Sequence, residues 1–252
     1  MSKAELSRPC ALSIAGLDPS AGAGLLADLK TFESQGVFGL GVCSALTFQN
    51  DISFSGLQWV SKECLLEQLQ PLFERFEISC VKIGIIENLA TLRVLVSFLR
   101  GRIPNVPIIW DPVARASAGF AFHASFEPTA LQEVLDEITL ITPNPEEQAL
   151  ISSVGTASLL RTCACAVLRK SLYARPGVIV DALRCGESEI EIEGVELSSA
   201  QKHGSGCVLS AAICAAVAKG ETLVEACHTA RKYSERYLTS SNNLIGYHSA
   251  YA

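Results

Sequence analysis

The stretch ALSIAGLDPSAGAGLLADLKTFESQ, residues 11–35, contains the unit from which the chain is built. Residues 11–15 form a short apolar run typical of a buried strand, a Gly- and Pro-containing loop follows, and residues 23–35 have the apolar spacing of a helix. Apolar runs at 40–48, 80–83, 106–110 and 139–141 alternate in the same way with helix-like segments at 62–76, 90–100 and 129–135. This alternation predicts an α/β fold in which parallel strands are joined by right-handed crossovers.

Polar and turn-forming residues follow several of the predicted strands. Because ligands of open α/β sheets bind at the carboxyl ends of strands, we expect these residues to line one shared cleft. They are Gly16-Leu17-Asp18-Pro19, Gln49-Asn50, Gly84, Asp111-Pro112 and Thr142-Pro143-Asn144.

The last third of the chain is less regular. Strands are predicted at 167–172, 177–181 and 190–193, where we expect the sheet to become antiparallel, and helices at 207–219 and 223–238. A single domain is predicted over residues 1–252, since α/β domains of this length are common and no linker or repeat interrupts the chain.

Composition excludes several classes of function. The hydrophobic share is 49% and the mean hydropathy +0.30, which fits strands covered by helices on both faces. No apolar run reaches the ~20 residues of a membrane span, and MSKAELSRPC lacks the apolar core of a signal peptide, so we expect a cytoplasmic protein without membrane contact. A net charge of −6 without a basic stripe argues against nucleic-acid binding.

The ten cysteines lie mostly inside apolar runs, which predicts reduced core residues rather than disulfides. Cys163 and Cys165 form a C-x-C without a second pair or nearby histidines, so zinc binding is not expected.

The segment KHGSGCVLSAAI, residues 202–213, predicts a glycine turn that leads into a buried helix. The free N–H groups of the first helical turn and the helix dipole attract phosphate, and a thiol at this position loses its proton more readily. Taken alone, the segment equally fits a plain turn before a helix with a core cysteine.

Longer motifs carry a resemblance to a known family. ALSIAGLDPSAGAG with Ala27 to Phe32 resembles the amino-terminal signature of the hydroxymethylpyrimidine/phosphomethylpyrimidine kinases of thiamine biosynthesis. Further matches follow in the order typical of that family: Ala45-Leu46 with Gln49-Asn50, Lys82-Ile83-Gly84, Asp111-Pro112-Val113, Leu140 to Asn144 with Glu147, and His203 to Cys207. The resemblance implies a ribokinase-like three-layer α/β/α fold with a central, mostly parallel sheet. It also implies an enzyme that uses ATP and Mg²⁺ to phosphorylate the pyrimidine alcohol and then its monophosphate.

The resemblance also implies roles for individual residues. The pyrimidine would be bound by Gly16, Asp28, Gln49, Ile85, Val113 and Cys207. Cys207 would take the proton of the substrate hydroxyl while the amides of Gly204, Ser205 and Gly206 hold the transferring phosphoryl group. The nucleotide would contact Asn144, Lys170 and His203, and Asp111 and Glu147 would organise Mg²⁺. Without the resemblance, Asp28 fits an exposed helix position, Gln49 a strand-end cap, Asp111 a turn and Glu147 a helix N-terminus.

The chain departs from the family pattern on the nucleotide side. The lysine that usually follows the Asp-Pro-Val motif is absent, with Arg115 two positions earlier, and a guanidinium does not freely replace an ammonium. The segment after Glu147 is short. The usual Lys-Gly-Gly-His is Lys170-Ser171-Leu172-Tyr173, and Ser205 replaces a threonine.

Two other functions therefore stay open. One is a pyridoxal-type kinase, because pyridoxal is also a flat hydroxymethyl heterocycle. The other is a pyrimidine-binding sensor or scaffold with impaired catalysis. Gln49 and the cysteine of HGSGC favour the pyrimidine kinase, and the resemblance implies a homodimer.

Overall fold

The computed structural model describes residues 3–116, 119–122, 126–152, 160, 163–197 and 202–249. Within this part, nine strands form one sheet, flanked by seven helices. The strands are β1 (Cys10–Leu17), β2 (Phe38–Gln49), β3 (Phe54–Trp59), β4 (Cys80–Ile83), β5 (Ile108–Trp110), β6 (Leu140–Ile141), β7 (Ala166–Arg175), β8 (Val178–Cys185) and β9 (Ser188–Val195). The helices are α1 (Gly24–Ser34), α2 (Lys62–Arg75), α3 (Leu89–Arg102), α4 (Pro128–Leu135), α5 (Pro145–Ser152), α6 (Ser205–Ala218) and α7 (Leu223–Thr239).

The sheet is mostly parallel, as predicted. Its strand order is β3-β2-β1-β4-β5-β6-β7-β8-β9. The run from β2 to β7 pairs in parallel, whereas β3 at one edge and β8 and β9 at the other pair antiparallel. The predicted change to antiparallel pairing in the last third of the chain is confirmed.

Two hydrophobic cores lie on opposite faces of the sheet. One contains apolar side chains of α2, α3 and α4, such as Leu69 and Leu95, packed against Val81 and Ile83. The other joins α1, α6 and α7 to alternate positions of the same strands, including Cys80. Because successive strand residues point to opposite faces, each strand contributes to both cores. The three-layer α/β/α arrangement is thereby confirmed.

The structure adds two elements to those predicted from the sequence. Strand β3 is an edge strand whose residues are partly or fully exposed, and therefore it lacks a continuous apolar run. Helix α5 has eight residues with two acidic residues in its first turn and no strong apolar stripe. Among the described residues, no helix has the length and apolar character to cross a bilayer.

All ten cysteines are free, and six of them are buried. The buried positions are Cys10, Cys80, Cys163, Cys165, Cys214 and Cys227. The prediction that most cysteines are core residues is confirmed.

Ser171 adopts a left-handed backbone conformation inside β7. Its φ is 51°, and the pairing of β7 with β8 shifts register between Arg169 and Tyr173. The Ser171 N–H donates to the Asp181 carboxylate at 2.7 Å, which holds the bulge in place. A residue with a Cβ carries a steric cost in this conformation, and the resembled family has glycine at this position.

We expect Ser171→Gly to raise the free energy of unfolding by about 0.5–1 kcal/mol, because relief of the left-handed strain outweighs the added chain entropy of glycine. Urea denaturation measures the difference. Ser188→Gly is the matched control, since Ser188 lies exposed in β9 without a positive φ and should lose a similar amount of stability. Equal losses at both positions would contradict the strain at Ser171.

Candidate active site

A cavity of about 590 Å³ opens at the carboxyl ends of the parallel strands. It confirms the predicted shared cleft, because residues at or just after the carboxyl ends of β1, β2, β4, β5 and β6 line it together with the start of α6. The predicted site residues on its wall are Gly16, Gln49, Ile85, Asp111, Val113, Asn144, Glu147, Lys170, His203, Gly204, Ser205, Gly206 and Cys207. Among the predicted site residues, Asp28 alone is not part of this wall.

Gly204 allows helix α6 to begin directly at the cavity. It is the N-cap of α6, with a left-handed φ of 74°. A Cβ at this position would lie 2.1 Å from the Gly22 carbonyl oxygen and 2.6 Å from the Ala23 Cα. Only glycine fits so close an approach. The first-turn N–H groups of α6 have no partner within the helix, so this turn has the geometry of an anion site.

The carboxylate of Asp18 connects the loop after β1 to the glycine turn. It accepts hydrogen bonds from the N–H groups of Ser20 at 2.9 Å, Gly22 at 3.1 Å and Ala23 at 2.9 Å. It also lies 2.9 Å from His203 Nε2, and both side chains are buried. Although burial opposes it, hydrogen bonds from His203 and Ser20 lower the pKa of Asp18, which keeps it anionic. Asp18 therefore sets the position of His203, directly before Gly204.

Cys207 lies in the first turn of α6, and it lines the cavity. The sequence predicted easier deprotonation at this helix end, but the structure shows the opposite. Burial raises the pKa of Cys207 to about 11, despite the nearby Lys82 ammonium, and the Asp111 and Asp28 carboxylates add to the increase. Loss of hydration at the cavity wall disfavours the charged thiolate.

Lys170 links two buried carboxylates on the opposite wall. Its Nζ lies 2.9 Å from Asp111 Oδ1 and 3.9 Å from Glu147 Oε2. Thr142 Oγ1 and Ser210 Oγ donate to the two oxygens of Asp111. Against the effect of burial, the ammonium of Lys170 lowers the pKa of Asp111, whereas burial raises the pKa of Glu147 to about 7.

Asn144 and Glu147 form a reciprocal cap at the start of α5. The Asn144 N–H donates to Glu147 Oε2 at 2.8 Å, and the Glu147 N–H donates to Asn144 Oδ1 at 2.9 Å. The two residues predicted to serve the nucleotide and the metal thus hold each other in place. Glu147 lies at a helix N-terminus, as the sequence without the resemblance predicted, and the same residue also lies on the cavity wall.

The wall formed by β1, β2 and β4 is narrow and partly apolar. A Cβ on Gly16 would lie 2.4 Å from Ile85 Cδ1, so the Ile85 side chain packs directly over the glycine backbone. Gln49 Nε2 donates to Thr47 Oγ1 at 2.9 Å, which orients the carboxamide beside the cavity. Together with Val113, these side chains suit a flat heterocycle with polar edges.

Asp28 lies behind the cavity wall, in an ion pair with Lys82. Lys82 Nζ is 2.7 Å from Asp28 Oδ2, and both side chains are fully buried. The same oxygen accepts from Ser13 Oγ at 2.6 Å. The predicted contact of Asp28 with the pyrimidine stays a prediction.

Lys82 also borders the cavity, although the sequence did not predict it as a site residue. A lysine in the otherwise apolar run Cys80 to Ile83 was the available signal, because a lysine is almost never fully buried without a partner.

On the nucleotide side, Arg115 lies at the mouth of the cavity. Its Nε is 3.8 Å from Glu146 Oε2, and its side chain is 59% exposed, so the positive charge is solvated. The position of the missing family lysine lies outside the described residues, as do residues 153–159 and 161–162 of the short segment after Glu147.

Comparison with known proteins agrees with this geometry. The family model for phosphomethylpyrimidine kinase matches residues 18–250. The chain belongs to this family. A curated relative from Rhizobium meliloti (strain 1021), named hydroxymethylpyrimidine/phosphomethylpyrimidine kinase, is 32% identical over 249 residues, which cover 93% of this chain and 92% of the relative.

Solved structures share the fold of this family member. Pyridoxal kinase from Staphylococcus aureus in complex with AMP-PCP and pyridoxal has a TM-score of 0.82 at 21% identity, covering 97% of this chain and 94% of that one. Phosphomethylpyrimidine kinase from Clostridium difficile 630 has a TM-score of 0.71 at 27% identity, covering 91% and 99%. At 21% identity the first likeness shows the fold alone, and the ribokinase-like architecture implied by the sequence is confirmed.

We expect Gly204→Ala to lower the free energy of unfolding by roughly 2 kcal/mol or more, since the new Cβ meets the left-handed strain and the backbone of residues 22–23. Thermal or urea unfolding measures the loss. Gly101→Ala is the control, because Gly101 lies in α3 with open space around it and should gain up to about 1 kcal/mol. Similar stability of Gly204→Ala and the wild type would refute the close approach.

We expect iodoacetamide at pH 7.5 to alkylate Cys207 much more slowly than the exposed Cys64, because a thiol with a pKa of about 11 is almost entirely protonated. Peptide mass spectrometry quantifies both sites, and the Cys207 rate should rise with pH up to the unfolding limit. Faster labelling of Cys207 at neutral pH would show that the helix dipole dominates after all.

Proposed function

We propose that this protein transfers the γ-phosphoryl group of ATP to 4-amino-5-hydroxymethyl-2-methylpyrimidine, and then to the phosphate of that product, in thiamine biosynthesis. The observation that carries the proposal is one cavity in which the glycine turn of α6 lies between a heterocycle-sized wall and a cluster of two carboxylates and a lysine. Family membership and the name of the Rhizobium relative support the same reaction.

We assign the acceptor to the wall formed by Gly16, Gln49, Ile85 and Val113. The Gln49 carboxamide offers both a donor and an acceptor to the ring nitrogen and amine of an aminopyrimidine. Ile85 and Val113 cover the faces of the ring. The acceptor hydroxymethyl group then lies toward Cys207 and the turn formed by Gly204, Ser205 and Gly206, which line the same cavity.

The nucleotide is assigned to the opposite wall, near Asn144 and Lys170, and to His203, which lies beside the loop after β1. Asp111 and Glu147 fit Mg²⁺, because this ion takes oxygen ligands and is commonly held by one or two carboxylates, phosphates and waters. Mg²⁺ would supply neutralisation of the charge on the triphosphate. Among the described residues there is no group of three or more potential metal ligands, which agrees with an ion that binds with its nucleotide.

Most of the rate enhancement should come from the amides of the glycine turn and the fixed charges around it. Phosphoryl transfer needs positioning and charge neutralisation more than covalent chemistry. Cys207 holds its proton at neutral pH, since its pKa is about 11, which weakens its predicted role as the base. The thiol remains next to the turn, where it packs against the acceptor.

The proposal is tested by incubating the purified protein with ATP, Mg²⁺ and hydroxymethylpyrimidine, and identifying the products by mass. We expect both the mono- and the diphosphate, with pyridoxal turned over more slowly. Faster turnover of pyridoxal would favour the pyridoxal-type kinase, and tight pyrimidine binding without product would favour the sensor. The homodimer and the cytoplasmic location stay predictions.

We expect Cys207→Ala to lower kcat by no more than about 100-fold, because general-base contributions usually amount to 100- to 10,000-fold and this thiol is protonated. Cys64→Ala, at an exposed position far along the chain, serves as the control and should leave kcat unchanged. A loss on the order of 10,000-fold in Cys207→Ala would restore the cysteine as the essential base.

A further inference from the structure

The two proposed acceptors differ in charge. The hydroxymethyl group of the first acceptor is neutral and must lose a proton, whereas the phosphate of the second is already anionic and has a nucleophilic oxygen. Two phosphate groups at reacting distance repel each other strongly in a water-poor cavity. A site that serves both acceptors therefore needs a positive charge close to the acceptor phosphate.

Three lysine or arginine side chains border the cavity in the described part of the chain: Lys82, Arg115 and Lys170. Lys170 is shared between Asp111 and Glu147 on the nucleotide wall. Arg115 is solvated at the mouth, beside Glu146. Lys82 is the one that belongs to the strand leading into the acceptor wall, since β4 continues directly into Gly84 and Ile85.

The ammonium of Lys82 is held under the cavity floor. A Cβ placed on Gly84 would lie 3.2 Å from Lys82 Nζ, and Lys82, Gly84 and Ala15 all line the cavity, so the ammonium lies directly behind this part of the lining. Cys207 and Asp111 are close enough to shift the proton affinity of Lys82 electrostatically. The charge thus lies beneath the region where the acceptor wall meets the glycine turn.

Asp28 fixes this charge in place. Its Oδ2 accepts from Lys82 at 2.7 Å and from Ser13 at 2.6 Å, while its Oδ1 has no hydrogen-bond partner. The charge of Asp28 outweighs burial and raises the pKa of Lys82, which keeps the lysine protonated. Because Asp28 lies behind the wall and Lys82 borders the cavity, the pair presents its positive end to the cavity.

We propose that Lys82, held by Asp28, is a positioning residue that determines the use of the phosphorylated acceptor. This inference rests on the proposed function. Lys82 remains buried and acts on the acceptor phosphate through its field, which water screens little in this interior. The neutral alcohol gains little from the same charge. We therefore expect Lys82 to promote the second phosphorylation and to have little effect on the first.

The experiment compares kcat/KM for hydroxymethylpyrimidine and for its monophosphate in three variants of the full chain. In Asp28→Asn/Lys82→Met the ion pair is replaced by a neutral pair of similar volume, and the ratio of second-step to first-step kcat/KM should fall on the order of 100-fold. Asp28→Asn alone removes the carboxylate that keeps Lys82 protonated, so this ratio should fall in the same direction. Lys62→Met removes an exposed lysine at the start of α2 and should leave both values unchanged.

A purely structural role predicts a different result, namely equal losses on both acceptors together with a lower Tm. Equal losses in the double variant, or an unchanged ratio in Asp28→Asn, would overturn the proposal. If the double variant does not fold, the isosteric Asp28→Asn variant tests the proposal, through the change in its ratio of second-step to first-step kcat/KM. A wild-type protein that forms only the monophosphate would overturn the role of Lys82 alone, whereas one that forms neither product would overturn the proposed function.

Discussion

The close approach between Gly204 and the backbone of Gly22 and Ala23 is the constraint on which the site depends. It lets α6 begin where the loop after β1 ends, so that the free amides of one helix meet residues from several strands. The Asp18 carboxylate stabilises the same junction by binding three amides of its own loop and His203. A helix N-terminus becomes an anion site only when the surrounding chain leaves its amides accessible. The contacts of Gly204 and Asp18 hold the chain so that the first amides of α6 stay accessible from the cavity.

The buried charges are arranged in two groups around this junction. Lys82 and Asp28 lie below the wall proposed to bind the acceptor, and Lys170, Asp111 and Glu147 lie on the wall proposed to bind the nucleotide. Burying ions is costly even when they are paired, and apolar side chains of similar volume often give equal or greater stability. Two such groups at one cavity are therefore explained better by phosphate chemistry than by stability. A triphosphate and an anionic acceptor require fixed positive charges that do not need to reorganise.

One departure of the sequence from the family pattern, at Ser171, corresponds to a local change in the backbone of β7. Where the resembled family has glycine, Ser171 takes up the left-handed conformation itself and is held by Asp181. The preceding Lys170 keeps its place on the cavity wall. The departure from the family pattern thus changes the strain within β7, while the charge that faces the cavity is preserved.

The sequence alone determined the α/β class, the parallel core of the sheet and the glycine turn, because apolar periodicity and glycine chemistry are local properties of the chain. It also placed the strand-end residues in one cleft, since the carboxyl ends of parallel strands necessarily share an edge. Only the tertiary structure decided which charges pair: it moved Asp28 behind the wall onto Lys82, and it raised the pKa of Cys207 through burial. Ion pairing and desolvation depend on distances between residues far apart in the chain, and the sequence pattern does not contain those distances.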